Sequence, residues 1–214
     1  MYVPDHFRPT DAEIRDLLAR CGAVDLVTVT AAGLLATLLP MLWEPPGSRA
    51  GVGPFGALVG HVARNNAHWK TAALGASMAI VRGPDAYITP SWYATKREHG
   101  RVVPTWNYVT IHAHGRLVIH DDLAWVEDNV RQLTARFEGD REHPWAVDDA
   151  PPAYIAGQLR AIVGVELMID RLEAKSKLSQ NRSDADIDGV IEGLEADDER
   201  AVSAAMHATR APAD

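Results

Sequence analysis

The sequence AYITPSWY, at residues 86–93, is followed after a loop rich in Lys and Arg by VPTWNY at residues 103–108. Both runs combine aromatic rings with hydroxyl or amide groups, and residues that favour β-strands surround them. A buried Trp or Tyr needs a hydrogen-bond partner for its N–H or O–H group, so such a density of rings is a poor filling for a core. The runs therefore predict either a polar aromatic corner of a β-barrel or a pocket in which a flat ligand lies against the rings.

The composition is that of an ordinary globular protein, and a length of 214 residues suits one domain, alone or with an appendage. No apolar run approaches the ~20 residues that a membrane-spanning helix needs. The first residues, MYVPDHF, lack the features of a signal peptide. The single cysteine, Cys21, permits no intrachain disulfide. These features predict a cytoplasmic protein that does not bind a membrane.

The formal net charge of −8 disfavours direct binding to DNA, because an acidic chain repels phosphates unless its positive charges are concentrated on one face. The basic clusters are small: Lys96 with Arg97, and Lys175 with Lys177 and Arg182. Neither cluster resembles a DNA-recognition helix.

Hydrophobic patterns and Gly- or Pro-containing breaks predict a mainly β chain with flanking helices. A capping box at Thr10 and Glu13 predicts a first helix that closes at Gly22. Strands are expected at residues 23–30, 34–42, 56–62, 78–82, 86–89, 105–119 and 161–172. Further helices are expected at residues 67–74, 121–137 and 154–159, and loops at residues 43–54 and 94–101. A turn is expected at Gly83-Pro84 and a bend at Gly115. Mostly local connections indicate a closed or split antiparallel barrel. The domain is expected to cover residues 1–183, followed by an acidic helical tail at 184–214 that frays at its end.

The segment GHVARNN, residues 60–66, is the strongest candidate for an anion site, because a strand there ends in a turn that leads into a predicted helix. Arg64 could bind a phosphate through two hydrogen bonds, and His61, Asn65 and Lys70 could add donors. An Asn-rich helix cap with Arg64 in solvent explains the same spacing. Walker and dinucleotide-binding motifs are absent from the sequence, which disfavours nucleoside triphosphates and Rossmann-type binding.

Two other motifs allow more than one interpretation. His112 and His114 share one face of a predicted strand, but no Cys or carboxylate lies at a supporting spacing, so a metal site is not expected. A polar barrel lining or a subunit contact explains the pair better. The run KSKLSQNRS, at residues 175–183, follows the predicted last strand and is either an exposed basic linker or a lid over an acidic or carbonyl-bearing ligand.

Taken together, these residues resemble the PaiB-like family of FMN-binding negative transcriptional regulators, which are relatives of the pyridoxamine 5′-phosphate oxidases. The matching stretches are residues 1–7, 58–66, 87–93, 103–108 and 175–181. They run from the start of the chain to about residue 183, and five ordered motifs are far more specific than any one of them.

The resemblance implies a homodimer of split barrels with FMN at the subunit interface. Thr37, Leu38 and Leu39 would run beside the isoalloxazine edge, and His61, Val62, Ala63, Arg64 and Asn65, with Lys70, would hold the phosphate. The ring pocket would be lined by Trp92, Tyr93, Trp106, Asn107 and Tyr108, partly from the partner subunit, and closed by Lys175, Gln180 and Asn181. The strand at residues 35–42 carries no Lys or Arg, unlike oxidases of pyridoxamine phosphate, which argues against that substrate.

Three functions remain open at this stage. The first is an FMN-binding regulator that senses a small molecule or a redox state. The second is an FMN-dependent oxidoreductase that uses NADH or NADPH, with the cofactor carrying the chemistry. The third is a dimeric interaction module without flavin. Catalytic residues cannot be assigned from the sequence, and His61 and Tyr93 are the only candidates for proton transfer.

Overall fold

The computed structural model describes residues 1–49 and 51–210. Its strands are β1 (Ala23–Thr30), β2 (Gly33–Glu44), β3 (Ala57–Ala63), β4 (Ser77–Ile88), β5 (Thr105–His120) and β6 (Ile162–Lys177). Its helices are α1 (Asp11–Ala19), α2 (Thr95–Glu98), α3 (Leu123–Glu138), α4 (Pro152–Arg160), α5 (Asp184–Ala196) and α6 (Arg200–Ala208). The fraying predicted for residues 211–214 lies outside the described residues.

The strands follow the order β1-β2-β3-β6-β5-β4, and β4 pairs back with β1. The hairpin of β1 and β2 pairs along its whole length, from Ala23 with Pro40 to Thr30 with Gly33. The pairing of β1 with β4 is much shorter and covers only residues 25–27 with residues 78–80. The predicted mainly β class with flanking helices is confirmed as a six-stranded antiparallel sheet.

The chain divides into two compact units. Unit 1 contains residues 1–14, 82–111 and 174–214, and unit 2 contains residues 15–81 and 112–173. No helix in the described part of the chain is long and apolar enough to cross a membrane.

Unit 1 has a core that α5 and α6 share with the aromatic stretch at residues 86–93. Val190, Leu194 and Met206 are fully buried in one apolar cluster with Ile88 and Tyr93. The predicted helical tail is therefore helical, and its apolar side is part of this core. The predicted start of the first helix is also confirmed, because Thr10 N donates to a carboxylate oxygen of Glu13 at 2.6 Å while Glu13 N donates to the Thr10 hydroxyl at 3.2 Å.

Unit 2 has a core built by alternation along the β1–β2 hairpin. Val24, Leu26 and Met41 point inward and are buried, while every second residue from Leu34 to Pro40 is exposed. The same alternation leaves Leu34 76% exposed and Leu38 66% exposed, so one face of this hairpin is apolar and uncovered in the single chain.

Two local predictions were wrong. Residues 67–74 form turns and bends, because the Asn66 side chain accepts a hydrogen bond from the backbone N–H of His68 at 2.8 Å and the His68 ring is drawn into the core. Gly83-Pro84 is not a turn, since β4 continues from Ser77 to Ile88. A Cβ at Gly83 would meet the side chain of Val109, so this glycine allows close packing and not chain reversal.

Two further boundaries differ from the prediction. The charged loop at residues 94–101 contains the single helical turn α2. Strand β6 extends to Lys177, so Lys175 and Lys177 lie on a strand and not in a linker after it. The turn that ends this strand places Ser179 in the left-handed region, at φ 68°.

Candidate functional site

A small cavity in unit 1 brings together residues that are far apart in the sequence. Its volume is about 170 Å³, and it is lined by Phe7, Tyr93, Val103, Pro104, Thr105, Lys177, Ser179, Asn181 and Arg182. The beginning of β5 and the turn after β6 supply most of this lining. Its walls are apolar or aromatic on one side and carry basic and amide groups on the other, as in many small-molecule sites.

Three cations lie at or beside this cavity. The Lys177 ammonium donates to the Thr105 hydroxyl at 2.7 Å and to the Trp106 carbonyl at 2.5 Å, and the Lys175 ammonium donates to the Tyr2 carbonyl at 3.2 Å. Among residues 1–49 and 51–210, neither lysine nor Arg182 forms an ion pair with a carboxylate. Burial and then the charges of Lys175 and Arg182 lower the pKa of Lys177. Such a concentration of uncompensated positive charge favours an anionic or carbonyl-bearing ligand.

Tyr93 contributes a buried phenol to the same cavity. Its side chain is 1% exposed, and its hydroxyl makes no hydrogen bond of normal geometry among the described residues, although Arg182 and Ser179 lie close enough to act on its pKa. The Arg182 guanidinium lies 4.7 Å from the centre of its ring. Burial raises the pKa of Tyr93, so the phenol keeps its proton at neutral pH. Because an unpaired buried hydroxyl costs roughly 1–3 kcal/mol, a ligand acceptor at this position would be stabilising.

The other aromatic residues predicted for the ring pocket divide into exposed and half-buried ones. Trp106 is 52% exposed and makes an edge contact with Tyr87, with ring centres 6.3 Å apart. Tyr108 is half-buried, and the Lys175 ammonium lies 5.6 Å from its ring centre. Both rings therefore keep a surface that a planar ligand could contact.

Three predicted pocket residues have structural partners instead. A Cβ at Gly193 would overlap the Trp92 indole, which packs directly against α5. Asn107 is fully buried, accepts a hydrogen bond from the Ser179 hydroxyl at 3.1 Å and donates to the Met206 sulfur at 3.4 Å. Gln180 bridges backbone groups on either side of the turn after β6, donating to the Ser176 carbonyl and accepting from the N–H of Leu178, both at 2.7 Å. These residues shape the cavity, whereas Asn181 lines it.

The predicted phosphate turn lies in unit 2, where most of the Arg64 donors are already used. Its guanidinium pairs with the Asp121 carboxylate at 2.6 and 3.2 Å and donates to the carbonyls of Arg160 and Ile162 at 2.7 and 3.1 Å. The hydrogen bonds from Arg64 lower the pKa of Asp121. His61 Nδ1 lies 3.1 Å from the side-chain oxygen of Asn129 on α3.

The rest of this turn is more open. Asn65 and Lys70 are exposed, as is Ala63, while Val62 is buried. The Lys70 ammonium lies 5.5 Å from the centre of the Trp69 ring, a spacing at which an ammonium and an indole attract each other. Asn65 and Lys70 are therefore the predicted donors of this turn that remain accessible.

On β2, Leu38 points outward, Leu39 is buried, and Thr37 joins a buried polar chain. The Thr37 hydroxyl lies 2.9 Å from Nδ1 of His68, whose Nε2 lies 2.8 Å from the Thr28 hydroxyl. The chain continues from Thr28 to Ser77 at 2.7 Å. Burial lowers the pKa of His68, so its ring is neutral at pH 7 and donates from one nitrogen only.

Sequence reasoning left several of these residues out of the site. Lys177 and Arg182 belonged to the run at residues 175–183, which was interpreted as a basic linker or a lid, but neither residue was named as a cofactor ligand. Thr105 belongs to the second aromatic run, in which only Trp106, Asn107 and Tyr108 were assigned to the pocket. Phe7 lies in the N-terminal matching stretch, but its position beside the cavity carries no local signal. His68 could not be recognised because the partners that hold it, Thr28 and Thr37, lie on the preceding hairpin.

A second, larger cavity of about 510 Å³ lies in unit 2 and contains none of the predicted site residues. It is lined by Trp43, Glu44, Pro45, Ser48, Arg49, Val59, Trp125, Asp128, Asn129 and Gln132. The buried carboxylate of Glu166 accepts a hydrogen bond from Arg49, which lines this cavity, and lies 2.7 Å from Nε2 of His120. This network satisfies a carboxylate that would otherwise be costly to bury.

Comparison with known proteins identifies the family. Residues 1–171 match the family model described as "Putative FMN-binding domain". The chain belongs to this FMN-binding family. Its cofactor is FMN, and a Bacillus subtilis relative of this FMN-binding protein is the "Protease synthase and sporulation protein PAI 2". The two are 32% identical over 199 residues, which is 91% of this chain and 89% of the relative.

Solved structures with a similar fold are far more distant in sequence from this FMN-binding protein. The flavocytochrome Anf3 from Azotobacter vinelandii has a TM-score of 0.57 and 14% identity, covering 79% of this chain and 68% of its own. The FAD and heme binding protein from Mycobacterium smegmatis has a TM-score of 0.54 and 17% identity, covering 86% of this chain and 80% of its own. At these identities the similarity establishes the fold alone.

Proposed function

We propose that the cavity of unit 1 binds the pyrimidine edge of the FMN ring, and that the protein is a homodimeric flavoprotein regulator of PaiB type. The observation that carries this proposal is the pair of cations Lys177 and Arg182, which form no ion pair with a carboxylate of the described residues and lie beside the buried phenol of Tyr93. The pyrimidine edge of a flavin carries carbonyl oxygens and becomes anionic on reduction, so it matches donors of this kind.

The size of the cavity limits what it can hold. Ligand pockets usually measure about 300–1,000 Å³, and a volume of about 170 Å³ suits the edge of a ring system and not a complete FMN. The exposed rings of Trp106 and Tyr108 would extend the contact surface beyond the cavity. A site that is incomplete in one chain is consistent with a partner subunit that covers the rest of the cofactor.

For the phosphate, the family resemblance supports the turn in unit 2, of this chain or of its partner subunit, where Asn65 and Lys70 are the accessible donors. Arg64 supports this turn from behind, since its guanidinium holds Asp121 and two carbonyls in place. Thr37 and Leu38 would border the ring from β2 of this chain or of its partner subunit. His61 and Val62 position the end of β3, and His61 does so through its contact with Asn129.

When bound, FMN supplies transfer of a hydride or of single electrons. The residues of this chain would hold its ring, keep positive charge near the pyrimidine edge and exclude water on the side of Tyr93. Lys177 and Arg182 would stabilise negative charge on the ring, and the Tyr93 hydroxyl would donate a hydrogen bond to it. A positive environment of this kind raises the reduction potential of a flavin.

The homodimer is supported by the uncovered apolar face of the β1–β2 hairpin. Val29 and Leu34 form a cross-strand pair on this face, and Leu38 and Leu74 are also exposed. Contiguous apolar surface of this kind usually marks an interaction site. A second copy of the chain would bury it with the same surface on its own side.

We expect Leu38→Asp to convert the dimer into a monomer, because a carboxylate on each side of an apolar interface would be desolvated and would repel its counterpart. Analytical ultracentrifugation of the wild type and the variant measures this directly. Leu123→Asp is a matched control, because Leu123 is an exposed leucine at the start of α3 and away from the hairpin. If the Leu38→Asp variant remains dimeric, this face is not the dimer interface.

A regulatory role is favoured over catalysis by the name of the Bacillus relative, which refers to protease synthesis and sporulation. With a net charge of −8, contact with DNA would depend on a partner protein. The second candidate function is an FMN-dependent oxidoreductase that uses NADH or NADPH, and the unpartnered Tyr93 hydroxyl favours it as a potential proton donor. A cytoplasmic location accompanies both proposals.

The two functions can be separated on the wild-type protein loaded with FMN. Under anaerobic conditions, NADH or NADPH bleaches the FMN absorbance of an oxidoreductase within its catalytic turnover time. The FMN of a regulator stays oxidised under the same conditions. A regulator instead changes its retention of DNA, or of a DNA-bound partner, with the redox state of the flavin. Binding itself is measured by quenching of FMN fluorescence during titration of the apo-protein. Equal fluorescence with and without protein would contradict the proposed site and both functions.

A further inference from the structure

The structure places two histidines and a glutamate of unit 2 around a common point. His112 and His114 lie on one face of β5, and Glu173 lies on β6, its neighbour in the sheet. One ligand atom from each of the three side chains lies within 4.8 Å of the other two. No carboxylate lies at a supporting spacing in the sequence, so a metal site was not expected there. The sheet supplies Glu173 from a strand that begins more than forty residues after β5 ends.

We propose that His112, His114 and Glu173 form a binding site for a divalent first-row transition-metal ion such as Zn²⁺. Two imidazole nitrogens and one carboxylate oxygen are a usual protein ligand set for such ions, with one or more positions left for water. Calcium and magnesium are disfavoured because they require a shell made mainly of oxygen ligands.

The distances fit an ion with little rearrangement. His114 Nε2 lies 3.8 Å from Oε2 of Glu173, whereas two ligands about 2.1 Å from a tetrahedral Zn²⁺ are roughly 3.4 Å apart. A separation of 3.8 Å is too long for a hydrogen bond. Small rotations of the two side chains would therefore bring both atoms to the ion, while the paired strands hold their backbones.

The hydrogen-bonding state of His114 points to the same conclusion. Its Nε2 atom is buried and has no hydrogen-bond partner among the described residues. Buried polar atoms normally have a partner, and an exception calls for an explanation such as an ion. A metal bound by Nε2 would satisfy this atom without any change in the backbone.

Arg171 lies next to the site and orients its carboxylate. The Arg171 guanidinium donates to Oε1 of Glu173, and Oε2 lies 3.8 Å from Nε2 of His114. Hydrogen bonds from neighbouring cations, Arg171 among them, lower the pKa of Glu173 to about 2, so its carboxylate is ionised and a metal ion has to compete with those cations for it. Hydrogen bonds from such neighbouring groups commonly orient metal-binding carboxylates. The positive charge of Arg171 opposes a cation, but this charge is paired with the carboxylate of Glu173. The site thus has three ligands and an orienting partner.

The test is a competition titration of the untagged, EDTA-treated full chain with Zn²⁺ and a chromophoric chelator at pH 7.5. One ion per chain is expected. His114→Ala and Glu173→Gln should each weaken binding by about 100-fold or more, since the loss of a ligand should exceed the 10–100-fold typical of its supporting groups. Arg171→Ala should weaken binding by about tenfold.

His143→Ala is the matched control, because His143 is exposed in unit 2 and belongs to no group of potential ligands among the described residues. Its affinity for Zn²⁺ should equal that of the wild type. Circular dichroism checks the fold of each variant, and Glu173→Gln, which preserves shape, decides the matter if His114→Ala does not fold. Co²⁺ substitution gives an independent readout through its visible absorption bands. The proposal is overturned if the wild type binds no stoichiometric Zn²⁺, or if Glu173→Gln binds it as tightly as the wild type.

Discussion

Arg182→Gln and Lys177→Met are each expected to weaken FMN binding by about 10-fold to 100-fold. Each substitution removes a cation that lines the unit 1 cavity and forms no ion pair with a carboxylate in the described part of the chain. A hydrogen bond to a charged group contributes about 1.5–3 kcal/mol, and 1.4 kcal/mol corresponds to a factor of ten in affinity. Fluorescence titration of FMN into each apo-protein measures the effect.

The matched controls are Lys96→Met and Arg210→Gln, which change the same residue types in unit 1 away from the cavity. Lys96 donates to the Ser91 hydroxyl at 3.0 Å, and Arg210 pairs with Asp188, both at the surface. Because exposed pairs contribute little, these variants should bind FMN like the wild type. Loss of affinity in the controls as well would indicate a general effect of net charge.

Riboflavin, which lacks the phosphate, separates the two ends of the cofactor. If Arg182 contacts the ring, Arg182→Gln should weaken the binding of riboflavin and the binding of FMN by the same factor. Lys70→Gln should weaken FMN alone, since Lys70 is assigned to the phosphate. If Arg182→Gln weakened the binding of FMN but not that of riboflavin, the phosphate and not the ring edge would lie in the unit 1 cavity. This result would contradict the assignment of the ring edge.

Gly115→Ala is expected to destabilise the protein by about 3 kcal/mol or more. Gly115 lies in β5 within unit 2, and a Cβ there would overlap the carbonyl oxygen of Met168 on β6. Overpacking usually costs about 1–3 kcal/mol, and the cost rises when the obstacle is backbone that cannot rotate away. The midpoint of urea unfolding, followed by tryptophan fluorescence, measures the loss.

Gly157→Ala is the matched control for this substitution. Gly157 lies inside α4, and no atom lies within 4 Å of the position that its Cβ would occupy. Because alanine is favoured over glycine in a helix by about 0.5–1 kcal/mol, this variant should be slightly more stable than the wild type. Equal unfolding midpoints for Gly115→Ala and the wild type would show that β5 and β6 can separate at this point without cost.

Predictions from the sequence succeed where a pattern repeats along one element. The β1–β2 hairpin follows from alternation on both sides of the Gly33 turn, and the long apolar stripe of α3 follows from helical spacing. The start of α1 follows from hydrogen bonds that span only three residues. Packing partners can lie far away in the sequence, and local patterns do not identify them. Residues 67–74 and Gly83 were therefore assigned wrongly, because their conformations depend on contacts with such distant partners.

The candidate site was predictable in its residue types but only partly in their roles. The aromatic runs and the basic segment were visible, yet Trp92, Asn107 and Gln180 turned out to have structural partners. Arg64 pairs with Asp121, which lies 57 residues away in the sequence. The carboxylate that joins His112 and His114 also comes from a distant part of the chain.

The sequence by itself determined the family and the FMN cofactor through its resemblance to a known family. It also determined most of the strands and helices, because these depend on residue types and on spacings within short segments. Only the tertiary structure decided which cations are neutralised by carboxylates and which remain available, and which rings line a cavity. Ion pairs and cavities depend on distances of a few ångströms between strands, and no local pattern encodes those distances. The two aromatic runs therefore indicated the region of the site in the sequence. The positions of Lys177 and Arg182 beside Tyr93 in the structure defined the candidate site.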